Sequence, residues 1–390
     1  MVKQAPEPRR RRPAQVICAG FDWDHPSPLR HLETALAPDH DILHVESLGL
    51  RRPRPRFHDV IRLGHKAVRL LRPPPSGADR DGVNVMAPLA IPLPGNDTIR
   101  LVNGWLLERR ARGRVGDEAD VHLFLTALPT ALEFMLRVRA RVRVYYRVDD
   151  WPRWPGVDGP VIADLERRLM DRVDLTVATS GELARSGWSR RGPAVHLPQA
   201  VDREHFGQAL SRGPVHPALE GLPGPVLGAI GLFDDRIDGE LLSALAAEWP
   251  GTVVLAGERV GRGRRLPDGG SLRWIGHVEY DDLPTLARGV DAWILPYVVG
   301  PRTDAIDPLK LREYLATGRP VVSTPLPELK SWGEWVSLAT TPAGFVAAAR
   351  SAAADPDAGR SHRLDALSGH DWLDRRRDFL RLVDEASRAR

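Results

Sequence analysis

The chain has 390 residues, of which 42% are hydrophobic, enough to fill the cores of two or three domains. Its 55 Lys and Arg stand against 51 Asp and Glu, a net charge of only +4. The arginines are scattered and no nucleic-acid recognition motif is present, so a nucleic-acid partner is not expected.

Residues 1–13, with Arg9 to Arg12, are expected to form a loose, disordered basic tail. Ala14 to Gly20 reads as a buried strand. It holds Cys18, the only cysteine, which excludes an internal disulfide or a cysteine-based zinc cluster and suits a reducing cytoplasm. A helix is predicted from Ser27, with Leu29, Leu32, Ala35 and Leu36 at helical spacing, and a strand over Asp41 to Glu46. Short strand–helix–strand connections predict a parallel sheet flanked by helices. His58 to Leu71 reads as an Arg-rich amphipathic helix, either solvated or lying on an anionic membrane surface. Val83 to Pro94 holds too many prolines for a central strand. A helix over Asn96 to Arg112, a strand Val121 to Thr126, a helix Pro129 to Arg139 and a strand Val142 to Val148 follow. The last of these runs straight into Asp149-Asp150-Trp151. A helix Val161 to Asp171, a strand Asp174 to Thr179, a helix Gly181 to Trp188 capped by Ser180, and a short strand Val195 to Leu197 complete the first alternation.

A Gly- and Pro-rich linker, 207–224, divides a first domain, 14–206, from a second, 225–368, and a closing helix occupies 369–390. The second alternation has strands at Pro225 to Gly231, Thr252 to Ala256, Leu272 to Ile275, Val290 to Pro296 and Pro320 to Ser323. Its helices are expected over Asp235 to Trp249, Asp281 to Arg288, Pro308 to Thr317 and Thr341 to Ala354, with the closing helix from His370 to Ser387. No apolar run reaches the ~20 residues that span a bilayer, and no secretory signal is read at the N-terminus, so any membrane contact is expected to be peripheral, on the cytoplasmic face.

Asp304 to Pro325 carries the most chemistry. Lys310 and Glu313 are three apart on the helix after Pro308, so they project from one face. Free amides at a helix start and a cation suit a diphosphate, and a carboxylate one turn on suits ribose hydroxyls. An ordinary surface Lys/Glu pair fits the same spacing. Asp149 and Asp150 supply carboxylates able to take a proton from an acceptor hydroxyl, or to cap the following turn. Trp151 and Trp154 after them, and Trp23 and His25 on the first loop, suit the apolar face of a sugar or lipid acceptor, or a core position. No HExxH or paired His/Cys spacing suggests a metal.

Five stretches in this order resemble one family: DWDHPSPLRHLETALAPDHDILHVE; YYRVDDW with DLERRLMDRVDLTVATSGEL; LPQAVDREHF; GAIGLFDDRIDGELL; and GHVEYDDLPTLARGVDAWILPY with DPLKLREYLATGRPVVST. The chain resembles the GT-B glycosyltransferases of family 4, also called group 1, of bacterial polysaccharide synthesis, over nearly its whole length. That resemblance implies an α/β fold of two Rossmann-like domains facing each other across a cleft, with the closing helix packing back on the first. It implies a metal-independent transferase without a cofactor, moving a sugar from a nucleoside-diphosphate sugar, UDP favoured, to a lipid-linked or glycan acceptor. Glu313 matches the closing Glu of the family's E-x7-E motif at the ribose, and Lys310 a lysine facing the diphosphate. Arg236 falls near the phosphate-binding basic residues, and Gly276, His277 and Val278 match the loop beside the base. Asp307 and Tyr314 complete the expected donor side. Ala305 stands where the opening Glu should, so Asp304 or Asp307 is a candidate substitute. The gap also favours an N-domain base, as in the inverting exopolysaccharide glucuronosyltransferases the chain partly resembles, and inversion against retention stays open. A sugar-nucleotide 2-epimerase of the same fold and a non-catalytic relative are the alternatives.

Overall fold

The computed structural model describes residues 15–25, 27–47, 49–50, 79–88, 90–115, 121–189 and 192–389. The Arg9 to Arg12 run and the helix predicted over His58 to Leu71 lie outside them. The chain divides into two compact units: residues 1–178, 183–196 and 378–390 form the first, and residues 179–182 and 197–377 the second.

The first unit is built on an eight-stranded sheet. Its strands are β1 (Val16–Ala19), β2 (Ile42–Val45), β3 (Asp79–Arg80), β4 (Val83–Met86), β5 (Leu123–Thr126), β6 (Val142–Arg147) and β7 (Leu175–Ala178). A small antiparallel hairpin, β8 (Trp188–Ser189) and β9 (Gly192–Pro193), precedes the last strand of the sheet, β10 (Val195–His196). The order is β10-β7-β6-β5-β1-β2-β4-β3, and only β3 runs antiparallel to its neighbour. The central strands read VICA and LFLT and are buried throughout, as continuous apolar runs must be where helices cover both faces. Ser27 Oγ accepts from Arg30 N at 3.2 Å and Pro28 opens the helix Pro28–Leu36, as its sequence predicts. The stretch Val83 to Pro94 is corrected: Val83–Met86 pairs in parallel with β2. Its prolines begin at Pro88, beyond the last paired residue, so the ladder loses no donor.

The second unit holds a six-stranded, all-parallel sheet of order β13-β12-β11-β14-β15-β16. These are β11 (Val226–Ile230), β12 (Thr252–Ala256), β13 (Leu272–Gly276), β14 (Ala292–Leu295), β15 (Val321–Ser323) and β16 (Val336–Leu338). The order of a doubly wound sheet reverses between β11 and β14, and in the first unit between β1 and β5. The helix predicted from Asp235 begins instead at Gly239, because Asp238 Oδ1 accepts from the amides of Glu240 and Leu241 and caps it there. Arg236 is thereby left in the connecting loop. On one face of the sheet Trp293 stacks on Tyr314, centroids 4.4 Å apart, and its Nε1 donates to Thr317 Oγ1 at 2.9 Å. The closing helix, Trp372–Arg388, begins in the second unit, and its residues from Asp378 onward belong to the first.

Two histidines, His44 buried and His370 half-buried, give the units opposite pH responses. In the first, His44 Nδ1 lies 2.9 Å from the Glu33 carboxylate and Nε2 2.8 Å from the Phe21 carbonyl. Burial works against the charged ring, but Glu33, with Phe21 O and Glu46, outweighs it and raises His44 above 6.5. Its stabilisation is fully present below pH 6.5 and is lost as pH rises through the raised folded value. In the second unit burial, then Arg312 and Arg375, lower His370 to about 4. That stabilisation is present above 6.5 and is lost as pH falls towards 4. In urea unfolding repeated across pH, His44→Gln should flatten the alkaline limb of stability and His370→Gln the acid limb. Unchanged slopes would contradict the assignment.

Candidate functional site

In open parallel sheets ligands bind beyond the carboxyl ends of the strands, where the order reverses. In the second unit that place is framed by the loops after β11 and β14. The two loops are tied together: Val298 N donates to Arg236 O and Asp238 N to Pro296 O, both at 2.8 Å. Gly231 ends β11 at φ +137°, and a Cβ there would stand 3.7 Å from Lys310 Cε, so the lysine stem passes directly over the glycine. Gly257 ends β12 at φ +145°, and a Cβ on it would fall 1.8 Å from Gly231 O. Only glycine fits such an approach, and it leaves the carboxyl ends of both strands presented as bare backbone.

The helix Leu309–Ala316 follows, with Pro308 as its extended N-cap rather than its first helical residue. Lys310 Nζ and Glu313 Oε2 pair at 2.8 Å, with the lysine side chain 22% exposed and the glutamate 3%. This is not the solvated surface pair that the spacing also allowed. Arg236 donates from Nε to Asp234 Oδ1 and pairs through Nη2 with Oδ2, each at 2.9 Å. Tyr297, which sequence reasoning missed, lies within reach of the charges of Arg236, Asp234 and Glu313, and burial raises its phenol above the usual range. The available signal was its position immediately beyond the reversal strand.

Two donor-side expectations need correction. Tyr314 is buried; its hydroxyl accepts from Ile230 N at 2.7 Å and donates to Ile230 O at 3.3 Å, so it positions the end of β11. Asp307 is buried as well: Oδ1 takes Arg312 Nη1 at 2.7 Å, and Oδ2 takes Gln199 N at 3.0 Å. With both oxygens engaged it anchors the loop, and it is not open to replace the carboxylate missing at Ala305, itself buried. Asp304 is half-buried. At the carboxyl end of β13, Gly276 (φ +76°) lines an open depression of about 600 Å³ with Gly257, Glu258, Arg259, Val260 and Arg264. His277 is exposed, 3.6 Å from Glu279, and Val278 is half-buried against the core of the second unit.

In the first unit Asp149 and Asp150 follow β6 directly. Asp149 Oδ1 accepts from Asp150 N at 2.7 Å and so closes the turn. Asp150 starts the turn Trp151–Arg153 without capping it by its side chain, which instead pairs with Arg153 at 3.3 Å. The loop after β1 meets this segment through aromatics. Phe21 stacks on Trp154 at 5.9 Å and 22°, and packs near Trp151 at 5.5 Å and against His25 at 5.3 Å. Phe21 was not singled out in the sequence; its place after the reversal strand β1 was the signal. Trp154 and Phe21 are half-buried and His25 exposed, whereas Trp151 is fully buried. Trp23 is buried too, edge-on to His44 at 5.1 Å, with the Arg30 guanidinium 5.1 Å from its ring centre. Trp151 and Trp23 therefore belong to the core, a correction to their acceptor-side expectation: each ring is large enough to seal a sheet end, and burial wins.

No protein-family model matches the chain. It is 30% identical over 179 residues to TuaH of Bacillus subtilis, a glycosyltransferase ascribed to teichuronic acid biosynthesis; the match covers 43% of this chain and 44% of that relative, so it spans less than half the length of either. The sucrose-phosphate synthase of Thermosynechococcus elongatus superposes with a TM-score of 0.67 at 16% identity, over 96% of this chain and all of that one. Anabaena HepE, solved in complex with UDP and glucose, gives 0.66 at 13% identity, over 95% of this chain and 99% of that one. At such identities the likeness concerns architecture. Two Rossmann-like sheets of the observed order, matched over nearly the whole length of both structures, give this chain the GT-B fold.

Proposed function

We propose that the chain is a glycosyltransferase that moves a sugar from a nucleoside-diphosphate sugar to a glycan or lipid-linked acceptor in cell-surface polysaccharide synthesis. The observation that carries this reading is the half-sunk Lys310–Glu313 pair over Gly231, beside the reversal point of the second sheet. The likeness to TuaH and the UDP named with HepE support it and favour UDP. In this reading Lys310, Arg236 and the amides at the start of helix Leu309–Ala316 take the charge of the departing diphosphate. Glu313 accepts from the ribose hydroxyls once Lys310 turns to phosphate. The bond from the sugar's anomeric carbon to the phosphate oxygen breaks and one to the acceptor oxygen forms. Asp150 receives the acceptor's proton in an inverting reaction. Trp154, Phe21 and His25 offer apolar and polar edges to the acceptor. Peripheral contact with an anionic membrane suits a lipid-linked acceptor.

The test is a thermal-shift and calorimetric screen of nucleotides and nucleotide sugars, since a ligand of the native state raises apparent stability by mass action. UDP should bind, and Lys310→Met should weaken it about 10- to 100-fold, the worth of one charge-assisted contact. Glu313→Gln in the same background should leave UDP affinity low while relieving the uncompensated buried carboxylate. No shift with any nucleotide, or unchanged affinity in Lys310→Met, would refute the donor assignment.

A further inference from the structure

His44, in β2, is 2% exposed, and acceptors face both of its ring nitrogens. Nδ1 lies 2.9 Å from each oxygen of Glu33, itself wholly buried, and Nε2 lies 2.8 Å from the Phe21 carbonyl. A carbonyl only accepts, and so does an ionised carboxylate. The two contacts therefore need two protons, whether the second sits on Nδ1 or on Glu33. A neutral ring beside an ionised Glu33 has one. That one stays on Nδ1, where the carboxylate makes the stronger, charge-assisted bond, and the Nε2 lone pair is left against the Phe21 oxygen. The surroundings fix the ring in this place. A Cβ on Gly20 would stand 3.1 Å from His44 Cε1, and Trp23 packs edge-on at 5.1 Å with the Arg30 guanidinium on its ring. Cys18 is the register partner of His44 on β1, and burial and Glu33 push its thiol up, so it stays neutral. Glu46, just beyond β2, accepts from Trp23 N at 3.2 Å. Burial opposes the charged ring, but Glu33, the Phe21 carbonyl and Glu46 outweigh it, so His44 keeps its charge to higher pH than a free histidine.

We propose that Glu33 and His44 are positioning residues that set the loop after β1 through this second proton. With it bound, Nε2 holds the Phe21 carbonyl, and so the Phe21 ring on Trp154. Without it the loop is released. That this loop faces the acceptor rests on the transfer reading. The hold on the loop itself is measured without any sugar, so the two fail separately.

The test is hydrogen exchange of the whole protein from about pH 6 to about pH 9.5, which spans the titration of a raised histidine. After correction for the base-catalysed intrinsic rate, protection of amides 21–25 should fall about tenfold as pH rises, the loss of one hydrogen bond. That of Val142–Arg147 should hold. Glu33→Gln carries an amide that donates to Nδ1, so the neutral ring keeps its proton on Nε2 and with it the Phe21 contact. Its protection should stay high at every pH. Glu33→Leu/His44→Leu removes both charged groups and leaves no orphan charge to unfold the unit. Its protection should be low and independent of pH. Spectra of 15N-labelled histidine give a second readout. Above the midpoint His44 should carry its proton on Nδ1 in wild type and on Nε2 in Glu33→Gln. A flat wild-type profile, a fall shared with Val142–Arg147, a Glu33→Gln profile that still falls, or the same tautomer in both proteins would overturn the proposal.

Discussion

Asp150→Asn should lower the rate of sugar transfer by about 10²- to 10⁴-fold, the range for loss of a general base, while nucleotide affinity stays unchanged. The expectation separates Asp150 from its neighbour. Asp149 spends Oδ1 on the amide of Asp150, a bond that an asparagine oxygen makes equally well. Asp149→Asn should therefore cost less than about tenfold. Asp150 makes no cap with its side chain; its partner is Arg153, and its carboxylate remains 21% exposed. An ion pair with an exposed arginine is weak enough to be exchanged for an acceptor hydroxyl. The measurement is kcat for both variants with a UDP-sugar donor, alongside UDP affinity by calorimetry. Equal turnover in Asp150→Asn and wild type would remove the base from this loop. A loss of UDP affinity in step with turnover would point to a structural effect instead.

Arg312→Ala should be the most destabilising single substitution proposed for the second unit. It leaves the Asp307 carboxylate buried without its counter-ion, at a cost of about 3–5 kcal/mol. For a unit of this size that corresponds to a fall in melting temperature of roughly 10 °C. The pair is almost wholly removed from solvent, and the Arg312 guanidinium also lies 5.2 Å from the centre of the Trp332 ring. Asp307 additionally holds Gln199 through its carboxylate and its backbone carbonyl, so the loop ahead of helix Leu309–Ala316 should loosen with it. Arg312→Met/Asp307→Asn should recover most of the loss, since replacing both charges removes the orphan. A melting temperature within about 2 °C of wild type for Arg312→Ala would show the charge to be relieved in another way.

The two-sheet architecture was legible because its strands are short apolar runs set between turn residues, and because Ser27 and Thr341 stand as caps where the helical pattern starts. Val336–Leu338 and Arg360–Asp365 escaped notice: three and six residues are too few for periodicity to build. At the candidate site, the spacing of Lys310 and Glu313 put both on one side of their helix, and the strand preceding Asp149 put that pair at a sheet end. The fate of individual polar groups was not legible. Asp307 and Lys310 both read as donor-side charges, Asp307 as a stand-in for the Glu missing at Ala305 and Lys310 for the diphosphate, yet Asp307 is fixed by Arg312 five residues on and by Gln199 from 108 residues away. Trp151 and Trp154 read alike as sugar platforms; one is fully buried and the other half-buried, according to how the loop after β1 folds over them. Long-range partners decide such cases, and a linear pattern does not carry them.

The membership of residues 378–390 in the first unit bears on how the protein is made. That segment includes Phe379, fully buried, and Leu382, nearly so. The unit whose sheet is translated first is thus the one completed last. Residues 197–377, the bulk of the second unit, leave the ribosome in the interval. At about 5–20 residues per second that interval lasts roughly ten seconds or more.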